Sequence, residues 1–308
     1  GLRAVMQVAN HNYYRIDNQR LAGNAISNQR RTYEKWGQTN RFSTQGYLNY
    51  RKTFAQDHAI EGTVGFDYMK NTVNGLSLTV TGADSDKVPT LAAGTDATGW
   101  ADTNTNEALS SYFGRLNYDY RKKYLFMFTF RADGSSKFAE GNRWGYFPSA
   151  ALAWRASEEP FIKDLNIFSN LKPRVSFGIT GNQDGIGTYP AYALLGSNGY
   201  VAGGDKVTGY YPSQVANTNL KWETTSQFDA GIDFGFFNNR LTVVIDGYYK
   251  KTRDLLLKVK VPGSSGFSSG LKNIGEVENK GFELAINATP IEGDFIWNTS
   301  LNLTYNKN

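Results

Sequence analysis

The side chains that could support catalysis or metal binding are sparse in this sequence. Its 308 residues include two histidines, His11 and His58, and no cysteine. A serine hydrolase needs a histidine beside a nucleophile and a carboxylate, and a zinc site needs several nitrogen or sulfur ligands. Two isolated histidines supply neither arrangement. We therefore predict no catalytic residue, no cofactor and no metal site.

Three other groups of residues resemble known sites but are better explained as turns or polar surface. The Asp-Ser-Asp tripeptide at 84–86 suggests a calcium loop, but the glycine and distal glutamate of that motif are missing. The segment GSSGFSSG at 263–270 lacks the lysine of a phosphate-binding loop, so we predict a flexible external loop. Asp229 and Asp233 lie on one face of a predicted strand, where a polar lumen explains them without catalysis.

Aromatic side chains are dense in the predicted loops, among Gly, Asn, Asp and Thr. An aromatic ring beside amide and carboxylate groups is suited to stacking on a sugar ring or holding a peptide backbone. The alternative is that these rings pack the loops together or against a partner. The candidate substrate-contacting or partner-contacting residues are Trp100, Tyr189, Tyr192, Tyr200, Tyr210, Tyr211 and Trp222.

The elements that must position these groups are β-strands of about ten residues with one apolar and one polar face. Tyr124, Phe126 and Phe128 share one parity, whereas Thr129 and Arg131 share the other. The same rule holds in the stretches 112–120, 228–236, 241–250, 282–289 and 295–305. This alternation predicts the wall of an antiparallel transmembrane β-barrel.

Charge distinguishes the two faces. A lysine or arginine facing lipid near the bilayer midplane costs about 2–4 kcal/mol. Arg115, Arg131, Arg174, Asp229 and Asp246 all fall on the polar parity of their strands. A soluble antiparallel sandwich with one wet face would show the same alternation, so the connections between strands must decide.

Long and short connections alternate along the chain. Bacterial outer-membrane barrels have tight periplasmic turns and extended external loops. The short connections fall at 52–56, 121–123, 237–240 and 290–294. The long ones, predicted to be external, fall near 13–38, 70–109, 133–146, 182–225 and 253–280.

Composition is compatible with this fold and excludes others. No stretch approaches 18 apolar residues, but only every second residue of a barrel strand meets lipid. The net charge of +5 is spread along the chain, which argues against a nucleic-acid partner. About eleven strands can be counted, whereas bacterial barrels normally have an even number. Because the sequence shows no signal peptide and about eleven strands, residues 1–308 are expected to be part of one transmembrane barrel domain.

Four segments in order resemble one family. They are DGSSKFAEGNRWGYFPSAALAWRASEEPF from Asp133 to Phe161, SFGITGNQDGIGTY from Ser176 to Tyr189, NTNLKWETTSQFDAGIDFGFFNNRLTVVIDGYYKKTRDLL from Asn217 to Leu256, and NIGEVENKGFELAINATPI from Asn273 to Ile291. This series resembles the barrel of the SusC/RagA family of TonB-dependent outer-membrane transporters.

The resemblance implies a barrel of about 22 strands in the outer membrane of a Gram-negative bacterium, in contact with its lipid. It further implies a plug inside the barrel, a SusD-like lipoprotein over the external mouth, and import of oligosaccharides or peptides driven by the TonB complex. A dimer of transporter–lipoprotein pairs is an additional expectation. Plug and TonB box precede the barrel in such proteins, so TonB would act through a region outside this sequence.

Two other functions share these sequence features. A passive porin would have the same strands and loops without a plug. An adhesion or binding barrel would use the external loops for recognition alone. A membrane hydrolase is disfavoured because the sequence has only two histidines.

Overall fold

The computed structural model describes residues 1–22, 30–88 and 90–308. These residues form β-strands joined by turns, with one short α-helix, α1, at Pro160–Lys163. Four 3-10 helices among the same residues lie at Leu91–Ala93, Glu140–Asn142, Ala156–Glu158 and Gly263–Ser265. No helix in the described residues is long and apolar enough to cross a membrane. The strands are β1 Leu2–Leu21, β2 Arg31–Phe54, β3 His58–Thr81, β4 Asp96–Tyr120, β5 Tyr124–Ser135, β6 Trp144–Trp154, β7 Phe168–Asn182, β8 Leu194–Ala202, β9 Asp205–Gln214, β10 Glu223–Phe236, β11 Leu241–Arg253, β12 Leu256–Lys260, β13 Ser269–Asn273, β14 Glu276–Ile291 and β15 Trp297–Lys307.

Eleven of these strands form one sheet, in the order β1-β2-β3-β4-β5-β6-β7-β10-β11-β14-β15. Every neighbour in this order is also the next sheet strand along the chain, which is the up-and-down connectivity of a barrel wall. The predictions of an all-β antiparallel fold and of about eleven wall strands are confirmed. The remaining four strands form two separate hairpins, β8-β9 and β12-β13.

Short turns at one end of the sheet use left-handed backbone conformations. Ala55 and Gln56 have φ values of 48° and 58°, and Arg121 and Lys122 have values of 56° and 55°. Two residues with positive φ fit the right-handed twist of the flanking strands. We refer to this end as the short-turn end and to the opposite end as the long-loop end.

Strand boundaries differ from the sequence prediction at the long-loop end. The range 13–38 was predicted as loop, yet β1 continues to Leu21 and β2 begins at Arg31. Likewise, β3 and β4 occupy much of the range 70–109. Polar ladders support these extensions, such as Asn40 to Asn12 at 2.7 Å. Where a strand extends beyond the apolar band, it needs no apolar face. The alternation of apolar and polar residues therefore stops before the strand ends, and it cannot mark the strand boundary. Residues 23–29 and 89 of the two predicted loops lie outside the described residues.

The other three predicted loops are also more ordered than their sequences suggested. The range 182–225 contains the β8-β9 hairpin, and the range 253–280 contains the β12-β13 hairpin. In the range 133–146, β5 runs to Ser135 and β6 starts at Trp144. Backbone pairing supplies hydrogen bonds that an irregular loop would have to find from water or side chains.

The chain divides into two compact units. One comprises residues 1–5, 46–66 and 111–308, and the other comprises residues 6–45 and 67–110. The second unit is made of strand pairs joined by polar side chains: for example, the Gln38 amide donates to the Tyr14 hydroxyl and the Thr72 hydroxyl donates to the Asn106 amide oxygen. The first unit holds the apolar face, the ion-paired face and the β8-β9 and β12-β13 hairpins.

The apolar parity of the strands forms an exposed face in the larger unit. Phe128, Phe177, Phe228, Phe282 and Leu303 all leave more than a third of their surface uncovered. Six buried apolar residues of this unit lie at the long-loop end: Phe138, Phe147, Ile186, Ala191, Leu220 and Trp222. Ala132 of β5, Ala156 ahead of α1 and, in the smaller unit, Val80 of β3 are also buried. A wall with an exposed apolar face on one side is the arrangement that lipid requires.

Candidate functional site

The polar face of the larger unit carries an ion-pair network across three neighbouring strands. Arg174 of β7 donates to Asp233 of β10 at 3.1 Å and to Asp246 of β11 at 2.8 Å. Lys172 forms a second ion pair with Asp233 at 2.6 Å. These side chains are between a sixth and a third exposed. They neutralise each other on the face that sequence analysis assigned to the lumen.

Gly231 allows the Arg174–Asp246 contact. In the sheet register Gly231 lies between these two residues, opposite Arg174 on one side and opposite Asp246 on the other. A Cβ atom at this position would lie 2.1 Å from Asp246 Oδ1 and 3.0 Å from Arg174 Cζ. Because the middle strand contributes no side chain here, the guanidinium group and the carboxylate meet across it.

A polar groove of about 600 Å³ borders this network and includes Asp229, Lys250 and Glu283. Asp229 accepts hydrogen bonds from Gln227 at 2.8 Å and from Ser176 at 3.3 Å. The groove is lined by hydrogen-bond donors and acceptors and by side chains of both charge signs. Such a lining suits the passage of hydrated polar groups. Asp229 and Asp233 are both held by donors from neighbouring side chains.

The same face also has an apolar area. Leu125 and Met127 of β5 and Ala151 and Ala153 of β6 line a concavity of about 700 Å³, together with charged residues such as Asp119. Sequence analysis described this face by its polar residues and missed the apolar area. The signal was present in the sequence, because these four side chains lie on the polar parity of strands whose other parity is aromatic.

The loop cluster at the long-loop end is built on Trp222. Its ring lies 5.3 Å from that of Phe138 and 5.5 Å from that of Phe147, and its Nε1 donates to the Arg143 carbonyl at 2.9 Å. Gly145 makes room, since a Cβ there would lie 3.1 Å from the Trp222 ring. Trp222 is 7% exposed, so its ring packs the loops together.

Three of the predicted contact residues lie together on the β8-β9 hairpin. Tyr200 and Tyr211 share one face, where their rings cover Gly209 and Gly196 respectively, and Tyr210 lies on the opposite face. All three are at least half exposed. Tyr rings that stand over glycines on a free hairpin present flat amphipathic surfaces suited to a sugar, a peptide or a partner protein.

The remaining three predicted contact residues are dispersed. Trp100 lies in β4 within the smaller unit and is 76% exposed. Tyr189 and Tyr192 lie before β8, where their carbonyls accept hydrogen bonds from Gln214 at 2.8 Å each. The Tyr192 hydroxyl also accepts from Arg143 at 3.5 Å. These two tyrosines therefore help to anchor the hairpin to its base.

The residues weighed for catalysis or metal binding have other partners. His58 Nδ1 lies 2.8 Å from the Tyr118 hydroxyl, and its ring stacks on Phe54 at 5.5 Å. His11 stacks on Tyr13. Asp86 pairs with Arg30 at 3.0 Å. Among the described residues, no three histidines or carboxylates are grouped to hold a metal ion. Residues 261–268 connect β12 to β13, so the segment 263–270 begins in this hairpin connection and ends in β13.

The short-turn end carries an ion-paired carboxylate just before α1. The Glu159 carboxylate accepts hydrogen bonds from Lys123 Nζ and from the Tyr124 hydroxyl, each at 2.8 Å. The Lys123 ammonium group, which hydrogen-bonds the Glu159 carboxylate, holds the pKa of that carboxyl below its ordinary value of 4.5. Tyr124 continues a row of rings with Tyr120 and Trp154, at centroid distances of 6.2 and 6.4 Å. Such a row beneath charged turns is typical of an interfacial girdle.

The family described as TonB dependent receptor-like, beta-barrel matches residues 3–308. The chain belongs to this family. It is 48% identical over 209 residues to the TonB-dependent receptor SusC of Bacteroides thetaiotaomicron, covering 66% of this chain and 21% of that receptor. It is 40% identical over 292 residues to the TonB-dependent receptor P3 of Formosa agariphila, covering 94% and 29%.

A solved structure, titled as the RagAB peptide transporter, superposes on the chain with a TM-score of 0.88 at 28% identity. The match covers 99% of this chain and 34% of that one. The barrel therefore belongs to the SusC/RagA group of TonB-dependent receptors, as the four sequence segments suggested. This family consists of outer-membrane receptors and transporters. The chain spans between a fifth and a third of the length of these relatives.

Proposed function

We propose that this chain forms part of the wall of a TonB-dependent importer in the outer membrane of a Gram-negative bacterium. Its cargo is an oligosaccharide or a peptide, and a SusD-like lipoprotein works with it at the external mouth. The polar face lines the route of the cargo, and the apolar face meets lipid. The short-turn end is periplasmic and the long-loop end external.

One observation carries this proposal: a continuous polar, ion-paired face lies directly behind an exposed apolar face in a chain of this family. Lipid could not accept Arg174, Lys172 and their carboxylates, so they must face an interior. A barrel of more than a dozen strands is too wide for wall side chains to fill, so water, a plug or cargo must occupy it.

The observations bear differently on peptide and on oligosaccharide as cargo. The structural relative at 28% identity is titled a peptide transporter, which supports peptides. The tyrosines of the β8-β9 hairpin, among Gly, Asn and Thr, would serve either cargo through ring stacking and hydrogen bonds. Both classes therefore enter the test.

The test is uptake by cells that carry the full-length receptor. Labelled peptide digests and labelled oligosaccharide ladders are supplied to cells with TonB, to cells without TonB and to cells without the receptor. We expect uptake of one class to require both TonB and the receptor. Equal uptake with and without TonB would indicate a passive porin instead of an energised importer. Binding of cargo at the cell surface without uptake in any strain would indicate an adhesion barrel instead of an importer.

A further inference from the structure

The apolar outer face ends in a band of basic side chains on β11, β14 and β15. This basic band consists of Lys251, Arg253, Lys280 and Lys307, and it lies at the long-loop end of the three strands. All four side chains have the same parity as the lipid-facing residues. The register places Tyr249 opposite Lys280 and Lys280 opposite Lys307. The basic band therefore follows directly above Phe282 and Tyr305.

Acidic residues neutralise only part of the basic band. Lys251 contacts Glu276 at 2.8 Å and Glu278 at 2.7 Å, and Glu278 also accepts a hydrogen bond from the Tyr249 hydroxyl. Among the described residues, Arg253 and Lys280 form no ion pair within 4 Å and both are exposed, although Arg253 lies opposite Glu276 in the register and Lys280 lies within electrostatic range of Glu278. The band holds four cations and two carboxylates, which leaves it with an excess of positive charge.

Lys280 and Lys307 are the most informative pair. They stand directly opposite each other on neighbouring strands. Directly opposite positions bring Cβ atoms to about 4.5–5.5 Å, and like charges there are destabilising. An anion bound between the two ammonium groups would reverse that repulsion. Arg253 on the same face offers a planar fork that matches a phosphate group.

The height of the basic band fits the boundary of the membrane. On β14, Lys280 and Ile291 are separated by eleven residues, or about 37 Å at about 3.4 Å per residue. A strand tilt of about 35–45° reduces this to about 26–30 Å, close to the apolar band of about 25 Å in outer-membrane barrels. The basic band therefore lies at one edge of the lipid zone, at headgroup level.

We propose that the basic band binds the phosphate groups of a diphosphorylated lipid, of the lipid A type, in the outer leaflet. Its acyl chains would lie along Phe282, Leu284 and Leu303, and its phosphates would be held by Arg253, Lys280 and Lys307. Basic clusters at membrane boundaries are known to select anionic headgroups. The inference rests on the proposed outer-membrane location and external orientation, but not on the cargo.

The experiment uses the full-length receptor purified in detergent micelles. Diphosphoryl lipid A is titrated in, and bound lipid is measured by native mass spectrometry. The test variant carries Arg253→Gln, Lys280→Gln and Lys307→Gln together. The control variant carries Lys122→Gln, Lys163→Gln and Lys206→Gln, which removes the same charge from exposed residues outside the band. Heat-modifiable migration in gels checks that both variants are folded barrels.

We expect the test variant to bind diphosphoryl lipid A at least tenfold more weakly than the wild type, with the control variant unchanged. Lipid A stripped of its phosphates should bind the wild type as weakly as the test variant binds intact lipid A. Equal affinity of the test variant and the wild type would overturn the inference. Equal binding of phosphate-free lipid A, or of phosphatidylglycerol, would also overturn it.

The outcome is separable from that of the uptake test. If uptake is independent of TonB while lipid binding depends on phosphate and on the basic band, the importer fails and the lipid site stands. If uptake requires TonB but lipid binding is unchanged when the basic band is substituted, the lipid site is refuted and the importer proposal stands.

Discussion

Replacing Gly231 by alanine tests whether the ion-pair network depends on a missing side chain. The new Cβ would lie 2.1 Å from Asp246 Oδ1 and 3.0 Å from both Arg174 Cζ and the Ile245 carbonyl oxygen. The Asp246 carboxylate is the end of a flexible side chain, so it should rotate away rather than force the backbone apart. Arg174 then keeps its ion pair with Asp233 but loses its ion pair with Asp246.

The magnitude follows from that one lost contact. A hydrogen bond to a charged group contributes about 1.5–3 kcal/mol, and the lower half applies because the two side chains are 34% and 24% exposed. Alanine also lowers the entropy of the unfolded chain, which offsets about 0.4–1 kcal/mol. The matched control is Gly247→Ala, where the nearest atom to a new Cβ is the Gly281 carbonyl oxygen at 4.0 Å. Relative to this control, Gly231→Ala should be less stable by about 1.5–2 kcal/mol.

The assay is urea unfolding of the full-length receptor in lipid vesicles, followed by tryptophan fluorescence. The free energy of unfolding is compared between the two alanine variants, each with and without Asp246→Ala. We expect the difference between Gly231→Ala and Gly247→Ala to disappear once Asp246 is removed, because the residues share one contact. A difference below about 0.5 kcal/mol with Asp246 present would show that the Arg174–Asp246 contact does not depend on the missing side chain at Gly231.

Three further predictions concern the lipid face, the loop cluster and the short-turn end. Ile245→Arg, halfway along the apolar band of β11, should cost about 2–4 kcal/mol of unfolding free energy in vesicles. The same change at its lumen-facing neighbour Val244 should cost much less. Trp222→Ala empties the loop cluster, where truncation of a buried aromatic costs about 3–5 kcal/mol. It should therefore expose residues 183–222 to limited proteolysis in folded barrels, whereas Tyr210→Ala, at an exposed position, should not. The pKa of Glu159 is lowered, chiefly by its hydrogen bond from Lys123, so its stabilising contribution is present above pH 4.5 and is lost as the pH falls through the lowered pKa. Urea unfolding from pH 6 downward, at about unit intervals, should show this loss in the wild type and not in Glu159→Gln.

The faces of the strands could be predicted because lipid imposes a strict rule on one parity. Phe128 and Phe130 are exposed on the apolar face, as expected for residues that meet lipid. Beyond the apolar band the rule no longer operates. Residues such as Tyr14 and Gln38 pair through polar side chains, so their strands could not be separated from loops by alternation.

The β8-β9 hairpin carried a local signal that the sequence prediction did not use. Gly203 and Gly204, with φ values of 63° and 93°, form the two-residue connection between its strands. A Gly-Gly pair between segments with β-branched and aromatic residues is a recognised hairpin signal. With that signal, Tyr200, Tyr210 and Tyr211 would have been placed on one element.

The ion-pair network could not be predicted in the same way. Sequence analysis placed Arg174, Asp233 and Asp246 on the polar face correctly, but their contacts depend on the register of three strands. A shift by two residues would keep every side chain on its face and change every partner. The role of Gly231 became visible only once that register was known.

The polar face is proposed to line the route of an actively imported cargo. A photo-crosslinking amino acid at Ser176, on the polar face, and at its lipid-facing neighbour Val175 tests it most directly in cells that carry the full-length receptor. Labelled peptide digests and oligosaccharide ladders are supplied with and without TonB. We expect cargo adducts at Ser176 only when TonB is present, and lipid adducts at Val175 in both cases. Equal cargo adducts at both positions, or adducts at Ser176 that ignore TonB, would contradict this proposal.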